Sequence, residues 1–141
     1  MIAKHGSAVW NGSLKQGGGT VSTQSGALSG LSYTHAMRFG DAKGTNPEEL
    51  IGAAHAACFS MFLAALMGGE EIVPDAIETT STISLDATTE GGPTVKKAHL
   101  VTSVRAAAPE AKIRELADKA KAGCPISKLL NAEVTIEVKI G

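Results

Sequence analysis

The chain has 141 residues, of which 43% are hydrophobic and 19% are charged, so its composition is that of a globular protein rather than a disordered one. Its net charge is -1 and only 4% of its residues are aromatic, which argues against a basic surface or a stacking platform for nucleic acids. The length suits one domain covering residues 1–141.

The first third of the chain predicts short strands joined by glycine-rich turns. Residues 7–12 suit a strand that ends at an Asn-Gly turn, and the β-branched stretch 20–25 suits a half-exposed second strand. A third strand is expected within 31–39, ahead of a loop at 40–45. The amino terminus shows no apolar signal region, so we expect a cytoplasmic protein.

A long helix is clearly signalled after this loop. The residue before a proline avoids helical geometry, so Asn46 is expected to cap the helix and Pro47 to be its first residue. We expect the helix to end near Met67, where two glycines follow. Its apolar run, 53–67, is judged too short to span a bilayer.

This helix is apolar almost all the way round, and such a helix has to be covered on every side. One sheet of the same chain covers one side. The sequence therefore predicts an obligate homodimer in which a partner subunit covers the other side.

The remainder of the chain returns to alternating patterns. Residues 77–86 and 94–106 are predicted as a hairpin of two strands joined at Gly91-Gly92-Pro93. A helix after Pro109 ends at Gly123, a short helix restarts at Pro125, and 134–140 forms a last strand. Strands and helices do not alternate strictly, so the predicted class is α+β with a mostly antiparallel sheet.

The two cysteines occupy different settings. Cys58 lies in the middle of the long helix, and Cys124 lies between Gly123 and Pro125, at the joint of two helices. An N-cap position at this joint would favour a Cys124 thiolate through the helix dipole. In a reducing compartment such a pair suggests free thiols, metal ligands or a redox couple, and ordinary buried small side chains are the alternative.

Cys58 needs a cation to become a reactive thiolate, because burial alone favours the neutral thiol. Arg38 is the best candidate, since it lies in an otherwise apolar segment just before the long helix. A plain surface arginine is the alternative. Glu49 is explained by helix capping, while Glu48 has only the helix dipole to explain it. Glu48 is about 15 Å of helical rise from Cys58, so a shared site needs a partner subunit or a folded-back segment.

A metal site is a weaker possibility. His55 precedes Cys58 by three residues, a spacing at which both side chains can bind one ion. The other histidines, His5, His35 and His99, are scattered, so no second pair of ligands is evident.

Taken together, these segments resemble the OsmC/Ohr family of hydroperoxide-reducing proteins, and most closely its OsmC (osmotically inducible protein C) branch. The likeness covers essentially the whole chain and is carried by GTVST at 19–23, RF at 38–39, GTNPEELIGAAHAACFSM at 44–61 and KAKAGCPISKLLNAE at 119–133. It implies an intertwined dimer with the long helices at its centre and two equivalent sites at the subunit interface.

The resemblance also implies residue roles. Cys58 matches the cysteine that attacks the peroxide, and Cys124 matches the one that resolves it. Arg38 and Glu48 match the pair that activates the thiolate, Glu48 being the residue directly after Asn-Pro. A lipoyl-type dithiol is the implied reductant.

The sequence thus predicts a thiol peroxidase for organic and possibly inorganic hydroperoxides in oxidative or osmotic stress defence, with no cofactor and no metal. The alternative is a non-enzymatic dimer that senses redox state or binds an apolar ligand. The sequence leaves the preferred peroxide open.

Overall fold

The computed structural model describes residues 1–141, which divide into two compact units, Met1–Leu50 and Ile51–Gly141. The predicted α+β class is confirmed. The strands form two three-stranded sheets, one in each unit. The organisation as one domain stays a prediction.

The first unit contains an antiparallel sheet of three strands, β1 (Gly6–Asn11), β2 (Gly18–Thr23) and β3 (Leu31–Tyr33), in that order. Trp10 and Tyr33 pack against each other with ring centroids 5.3 Å apart. The first two strands agree with the sequence prediction to within two residues at each end.

The prediction of a strand across 31–39 was only partly right. The strand ends at Tyr33, and helix α1 (His35–Phe39) follows it. Thr34 causes the change, because it is extended at the N-cap and its hydroxyl accepts a hydrogen bond from the N–H of Met37 at 3.2 Å. Arg38 therefore lies in the last turn of a short helix and not on a strand.

Helix α2 (Pro47–Gly69) begins where Asn46-Pro47 predicted it and runs two residues beyond Met67. At 23 residues it is long and apolar enough to cross a membrane by length and composition, because the helix extends beyond the apolar run 53–67 that the sequence prediction considered. The same test is passed by the core helix of a globular protein, which makes it weak evidence for a membrane span.

The second unit packs helices against a mixed sheet. Strands β4 (Pro74–Asp86) and β5 (Thr94–Ala106) form the predicted antiparallel hairpin, and β6 (Glu133–Ile140) joins β5 in parallel. Helices α3 (Glu110–Gly123) and α4 (Pro125–Leu129) connect β5 to β6. The fully buried core is formed by α2, β5, α3 and the α3–α4 joint, and its members include Phe59, Leu63, Met67, Leu100, Val104, Ile113, Ala117 and Cys124.

Gly52 allows the close approach of α2 to β4. A Cβ atom at this position would lie 2.7 Å from the carbonyl oxygen of Ser81. Three residues further along α2, His55 points at the side chain of the same serine. The glycine therefore brings one helical face directly onto the sheet.

Candidate active site

The two thiols predicted as a pair lie together. The Sγ atoms of Cys58 and Cys124 are 3.1 Å apart, within reach of an S–H···S hydrogen bond, and both cysteines are free. A disulfide bond would bring the sulfurs to about 2.05 Å. The arrangement is that of a reduced dithiol in which one sulfur is in contact with the other.

The two thiols differ in accessibility. Cys58 lies in the middle of α2 and is half-buried, whereas Cys124 is 0% exposed. Cys124 is the residue between α3 and α4, as the sequence predicted, and its N–H donates to the carbonyl of Ala120 at 2.9 Å. A small molecule from solvent therefore reaches the sulfur of Cys58 before that of Cys124.

Cys58 is not activated within the single chain. Burial raises the pKa of its thiol, and the neighbouring thiol of Cys124 raises it further, while the N–H of Ile126 opposes the shift. No cation contributes to the shift. The expectation that Cys58 requires a positive charge from another element therefore stays a prediction.

Cys124 shows the opposite balance. Burial is the largest influence and raises its pKa, but hydrogen bonds from the Cys58 thiol, from the N–H and hydroxyl of Ser127 and from the N–H of Ile126 together lower it. Cys124 is the N-cap residue of α4, but its side chain makes no capping hydrogen bond to that helix. The hydrogen bonds from Cys58, Ser127 and Ile126 outweigh the effect of burial, so the pKa of the Cys124 thiol lies below its ordinary value.

His55 is held between two serine hydroxyls. Its Nδ1 lies 2.7 Å from Oγ of Ser81 on β4, and its Nε2 lies 2.8 Å from Oγ of Ser127 on α4. The side chain is 0% exposed, and burial lowers its pKa, so the ring is neutral. Both ring nitrogens are occupied, which leaves neither for the metal ion that the spacing to Cys58 allowed.

Ser81 and Ser127 were missed by the sequence analysis. They are 26 and 72 positions from His55 in the chain, and single serines in a strand and a short helix carry no pattern of their own. The one available signal was a histidine inside a wholly apolar helix, because a buried imidazole needs partners for both nitrogens.

Arg38 and Glu48 form the predicted pair. Nη2 of Arg38 donates to Oε1 of Glu48 at 2.7 Å, and Nε donates to both carboxylate oxygens at 3.1 and 3.2 Å. The carboxylate side chain is 12% exposed and the guanidinium side chain 37%. Glu48, and not Glu49, is therefore the carboxylate that orients Arg38.

Asn46 brings the two members of this pair together. Its Oδ1 accepts a hydrogen bond from the N–H of Glu49 at 2.9 Å, as expected of an N-cap, and its Nδ2 donates to the carbonyl of Met37 at 3.1 Å. One amide thus ties the end of α1 to the start of α2. Glu49 supplies its backbone N–H to this cap, and its side chain does not close a capping box.

A cavity of about 270 Å³ opens beside the guanidinium in the first unit. Its walls are mainly aromatic and aliphatic, and Arg38 is the one charged side chain among the lining residues Trp10, Leu14, Tyr33, Thr34, His35, Arg38 and Phe39. The cavity has the composition expected of a site for an apolar molecule with one polar end.

The outward face of α2 remains uncovered in the single chain. The buried residues of the helix are Gly52, His55, Phe59, Leu63 and Met67. Met61, on another face, is 77% exposed. The helix therefore has one buried stripe and an exposed apolar remainder, and the homodimer that would cover it stays a prediction.

The chain was compared with known proteins. The family model described as OsmC-like protein matches residues 40–139. Peroxiredoxin OsmC of Escherichia coli (strain K12) is 46% identical over 140 residues, which cover 99% of this chain and 97% of that protein. The same name and identity apply to a protein of Shigella flexneri.

Solved structures show the same fold. The organic hydroperoxide resistance protein OhrB of Bacillus subtilis has a TM-score of 0.74 and 27% identity, with 96% of this chain and 98% of that chain covered. An organic hydroperoxide resistance protein from Elizabethkingia anophelis has a TM-score of 0.80 over 100% of this chain and 98% of that one. Its identity of 22% supports the fold alone.

Proposed function

Because the chain belongs to the OsmC-like protein family, we propose that it is a cysteine-based peroxidase that reduces hydroperoxides through Cys58 and Cys124. The main support for this proposal is the 3.1 Å contact between the accessible thiol of Cys58 and the fully buried thiol of Cys124. The thiol of Cys58 would be accessible to a substrate, whereas the buried thiol of Cys124 would react only with Cys58.

The proposed oxidative half-reaction has two steps. The Cys58 thiolate attacks the terminal oxygen of the hydroperoxide, the O–O bond breaks, and the alkoxide takes a proton and leaves as an alcohol. Cys58 is then a sulfenic acid. Cys124 attacks that sulfur, the S–O bond breaks, hydroxide takes a proton to leave as water, and a disulfide forms.

The attacking role is assigned to Cys58 although Cys124 has the lower pKa in the single chain. Accessibility decides the assignment, because a sulfur that is 0% exposed cannot meet a peroxide first. Activation then requires a cation that the surroundings of Cys58 do not supply. The Arg38–Glu48 pair is the proposed source, with Glu48 holding the guanidinium in a fixed orientation.

The proposed active form is a homodimer. The uncovered apolar face of α2 supports it, since Met61 and its neighbours would otherwise face water. A dimer also offers a second source for the activating arginine, which is then either the same subunit's or the partner's.

Organic hydroperoxides are the proposed main substrates. Arg38 lies in the wall of a cavity lined by Trp10, Tyr33 and Phe39, so a peroxide polarised by the guanidinium would have an apolar surface for its alkyl group. Hydrogen peroxide has no such group and would lose this contribution. A dithiol, proposed to be of the lipoyl type, would reduce the disulfide in a reducing cytoplasm.

Turnover is the decisive measurement. The purified protein should consume many equivalents of cumene hydroperoxide when dihydrolipoamide is supplied, and fewer equivalents of hydrogen peroxide in the same time. A redox sensor or an apolar-ligand carrier would oxidise once and stop. A single equivalent consumed with every dithiol tested would refute the peroxidase.

A further inference from the structure

A buried hydrogen bond attaches α4 to α2 close to the cysteine pair. Nε2 of His55 lies 2.8 Å from Oγ of Ser127, and both residues are buried. His55 comes three residues before Cys58 on α2, and Ser127 comes three residues after Cys124. The sulfur–sulfur contact of 3.1 Å is therefore about one helical turn along α2 from this hydrogen bond. The proposed peroxide chemistry uses the two sulfurs and does not use the hydrogen bond.

The residue before Cys124 is also in contact with α2. A Cβ atom on Gly123 would lie 2.9 Å from the ring of Phe62, so the glycine allows this ring to pack directly against the joint of α3 and α4. Phe62 follows Cys58 by four residues, and His55, Cys58 and Phe62 therefore share one face of α2. Contacts with this one helical face thus lie on both sides of Cys124 in the sequence.

The short helix α4 depends strongly on its hydrogen bond to α2. It has five residues, which are too few for a helix that is stable by itself. Ser127 is its one buried residue, whereas Leu129 is 73% exposed. Because His55 and Ser127 are both buried, loss of the hydrogen bond would leave polar groups without partners, which is costly. The hydrogen bond therefore fixes α4, and with it the neighbouring Cys124, against α2.

We propose that His55 and Ser127 are positioning residues for disulfide formation, and that their hydrogen bond holds Cys124 against Cys58 and so protects Cys58 from over-oxidation. This inference rests on the proposed thiol cycle. Two reactions compete for the sulfenic acid on Cys58. In one, Cys124 attacks its sulfur, the S–O bond breaks, and a disulfide and water form. In the other, the sulfenate attacks a second hydroperoxide, the O–O bond breaks, and a sulfinic acid and an alcohol form.

The position of Cys124 decides this competition, because only the first reaction involves that residue. Attack on the sulfenic sulfur requires the two sulfurs to stay close and aligned, and a misplacement of about 1 Å can cost about a hundredfold in rate. The second hydroperoxide reaches Cys58 from solvent and does not involve α4. A loosely held α4 would therefore slow disulfide formation alone, and less peroxide would be needed to over-oxidise Cys58.

The peroxide concentration at which half of Cys58 is over-oxidised measures this competition. Increasing cumene hydroperoxide is added without reductant, and mass spectrometry quantifies the disulfide, by the loss of two hydrogens, and the sulfinic acid, by the gain of two oxygens. Ser127→Ala should lower this concentration about threefold to tenfold, and His55→Leu should lower it similarly. The rate of the first reduction should stay at the wild-type value. Ser127→Thr, which keeps the hydroxyl, should restore most of the resistance.

Ser81→Ala is the matched control. It removes the hydroxyl that lies 2.7 Å from Nδ1 of the His55 ring, so a similar hydrogen bond to the same side chain is lost, but on β4 and not on α4. Urea midpoints should fall to a similar extent in Ser81→Ala and Ser127→Ala, while Ser81→Ala should be over-oxidised at the wild-type concentration. Equal over-oxidation of the two variants would indicate a general loosening of the core and would overturn the inference.

The failure of this inference is distinguishable from the failure of the proposed function. If peroxide produces no disulfide between Cys58 and Cys124 in the wild type at any concentration, the proposed function itself fails. If the disulfide forms and Ser127→Ala is over-oxidised at the same concentration as the wild type, only the role of the hydrogen bond fails.

Discussion

The sulfur of Cys58 is in contact with that of Cys124 at 3.1 Å, although 66 positions separate them in the chain. One comes from the middle of a 23-residue helix and the other from the joint between α3 and α4. Because the sulfur of Cys124 is already in contact with that of Cys58, an oxidised Cys58 would need only a small displacement to form the disulfide.

The two cysteines should fail differently when replaced. Cys58→Ser should abolish peroxide consumption, since an alcohol does not form the low-energy anion that a thiol forms. Cys124→Ser should reduce one equivalent and leave Cys58 as a sulfenic acid that further peroxide over-oxidises. Intact mass after one and after ten equivalents checks both. Turnover retained by Cys58→Ser, with no first reduction in Cys124→Ser, would reverse the two roles.

Arg38→Met should raise the pKa of Cys58 and slow its reaction with peroxide. Removal of one strong charge contact from a reacting centre costs about 2 to 4 kcal/mol, which is about a hundredfold or more in rate. Arg38→Lys should recover only part, because an ammonium lacks the planar fork. The measurement is the rate of Cys58 alkylation against pH, together with turnover.

The matched control for that experiment is Arg114→Met. Arg114 donates to Glu110 at 2.7 and 3.2 Å, a similar ion pair on the exposed side of α3. Its loss should leave alkylation and turnover unchanged. An equal effect of the two substitutions would show that the Arg38 charge acts on stability and not on the thiol.

Gly52→Ala should destabilise the protein. The new methyl group would lie 2.7 Å from the carbonyl oxygen of Ser81, and overpacking of this kind costs about 1 to 3 kcal/mol of unfolding free energy. Gly68→Ala is the control on the same helix, where a Cβ meets nothing within 4 Å. It should stabilise by up to about 1 kcal/mol through helix propensity. Urea midpoints at one fixed protein concentration decide the case, and equal shifts would contradict it.

The stability should fall as the pH drops below about 6.5. Burial lowers the pKa of folded His55 below its value in the unfolded chain, so acid protonates the unfolded state first and favours it. The contribution of His55 is complete above the unfolded pKa and is lost as the pH falls towards the folded one. The urea midpoint of the wild type should decline as the pH is lowered from about 7.5 to about 5.5, a range that spans the pKa of His55 in the unfolded chain. His55→Gln should decline less, and an equal decline would assign the effect to other groups.

Met61→Arg should prevent dimer formation. Met61 is 77% exposed on an apolar helix, and an unpaired charge there would be buried by a partner at considerable cost. Asp118→Arg, on the exposed face of α3, is the control and should remain dimeric. Sedimentation at micromolar concentration should show dimer for the wild type. A well-folded wild-type monomer would contradict the prediction that a partner subunit covers the apolar face of α2.

Local signals in the sequence were sufficient for the elements that position the thiols. Pro47 marked the start of α2, and the glycine and proline on either side of Cys124 marked the joint between α3 and α4. Each of these residues restricts its own backbone, so no distant contact was needed for the prediction.

The failures have one local and one distant cause. Arg38 was placed on a strand because its neighbours are apolar, whereas the cap made by Thr34 turns the segment into a helix. Ser127 went unnoticed because its role depends on His55, 72 positions away. A hydrogen bond across that separation leaves no periodic pattern, and only the fold reveals it.

In the proposed cycle, the contact between the two sulfurs would also set the lifetime of the sulfenic acid on Cys58. A signalling protein that hands its oxidation to another molecule needs a sulfenic acid that survives until a partner arrives by diffusion. Here the competing thiol is already touching Cys58, so intramolecular capture has the advantage of a very high effective concentration. The oxidation would therefore end as a disulfide within the subunit before it could be transferred to another protein. This behaviour suits the removal of a toxic substrate better than redox signalling.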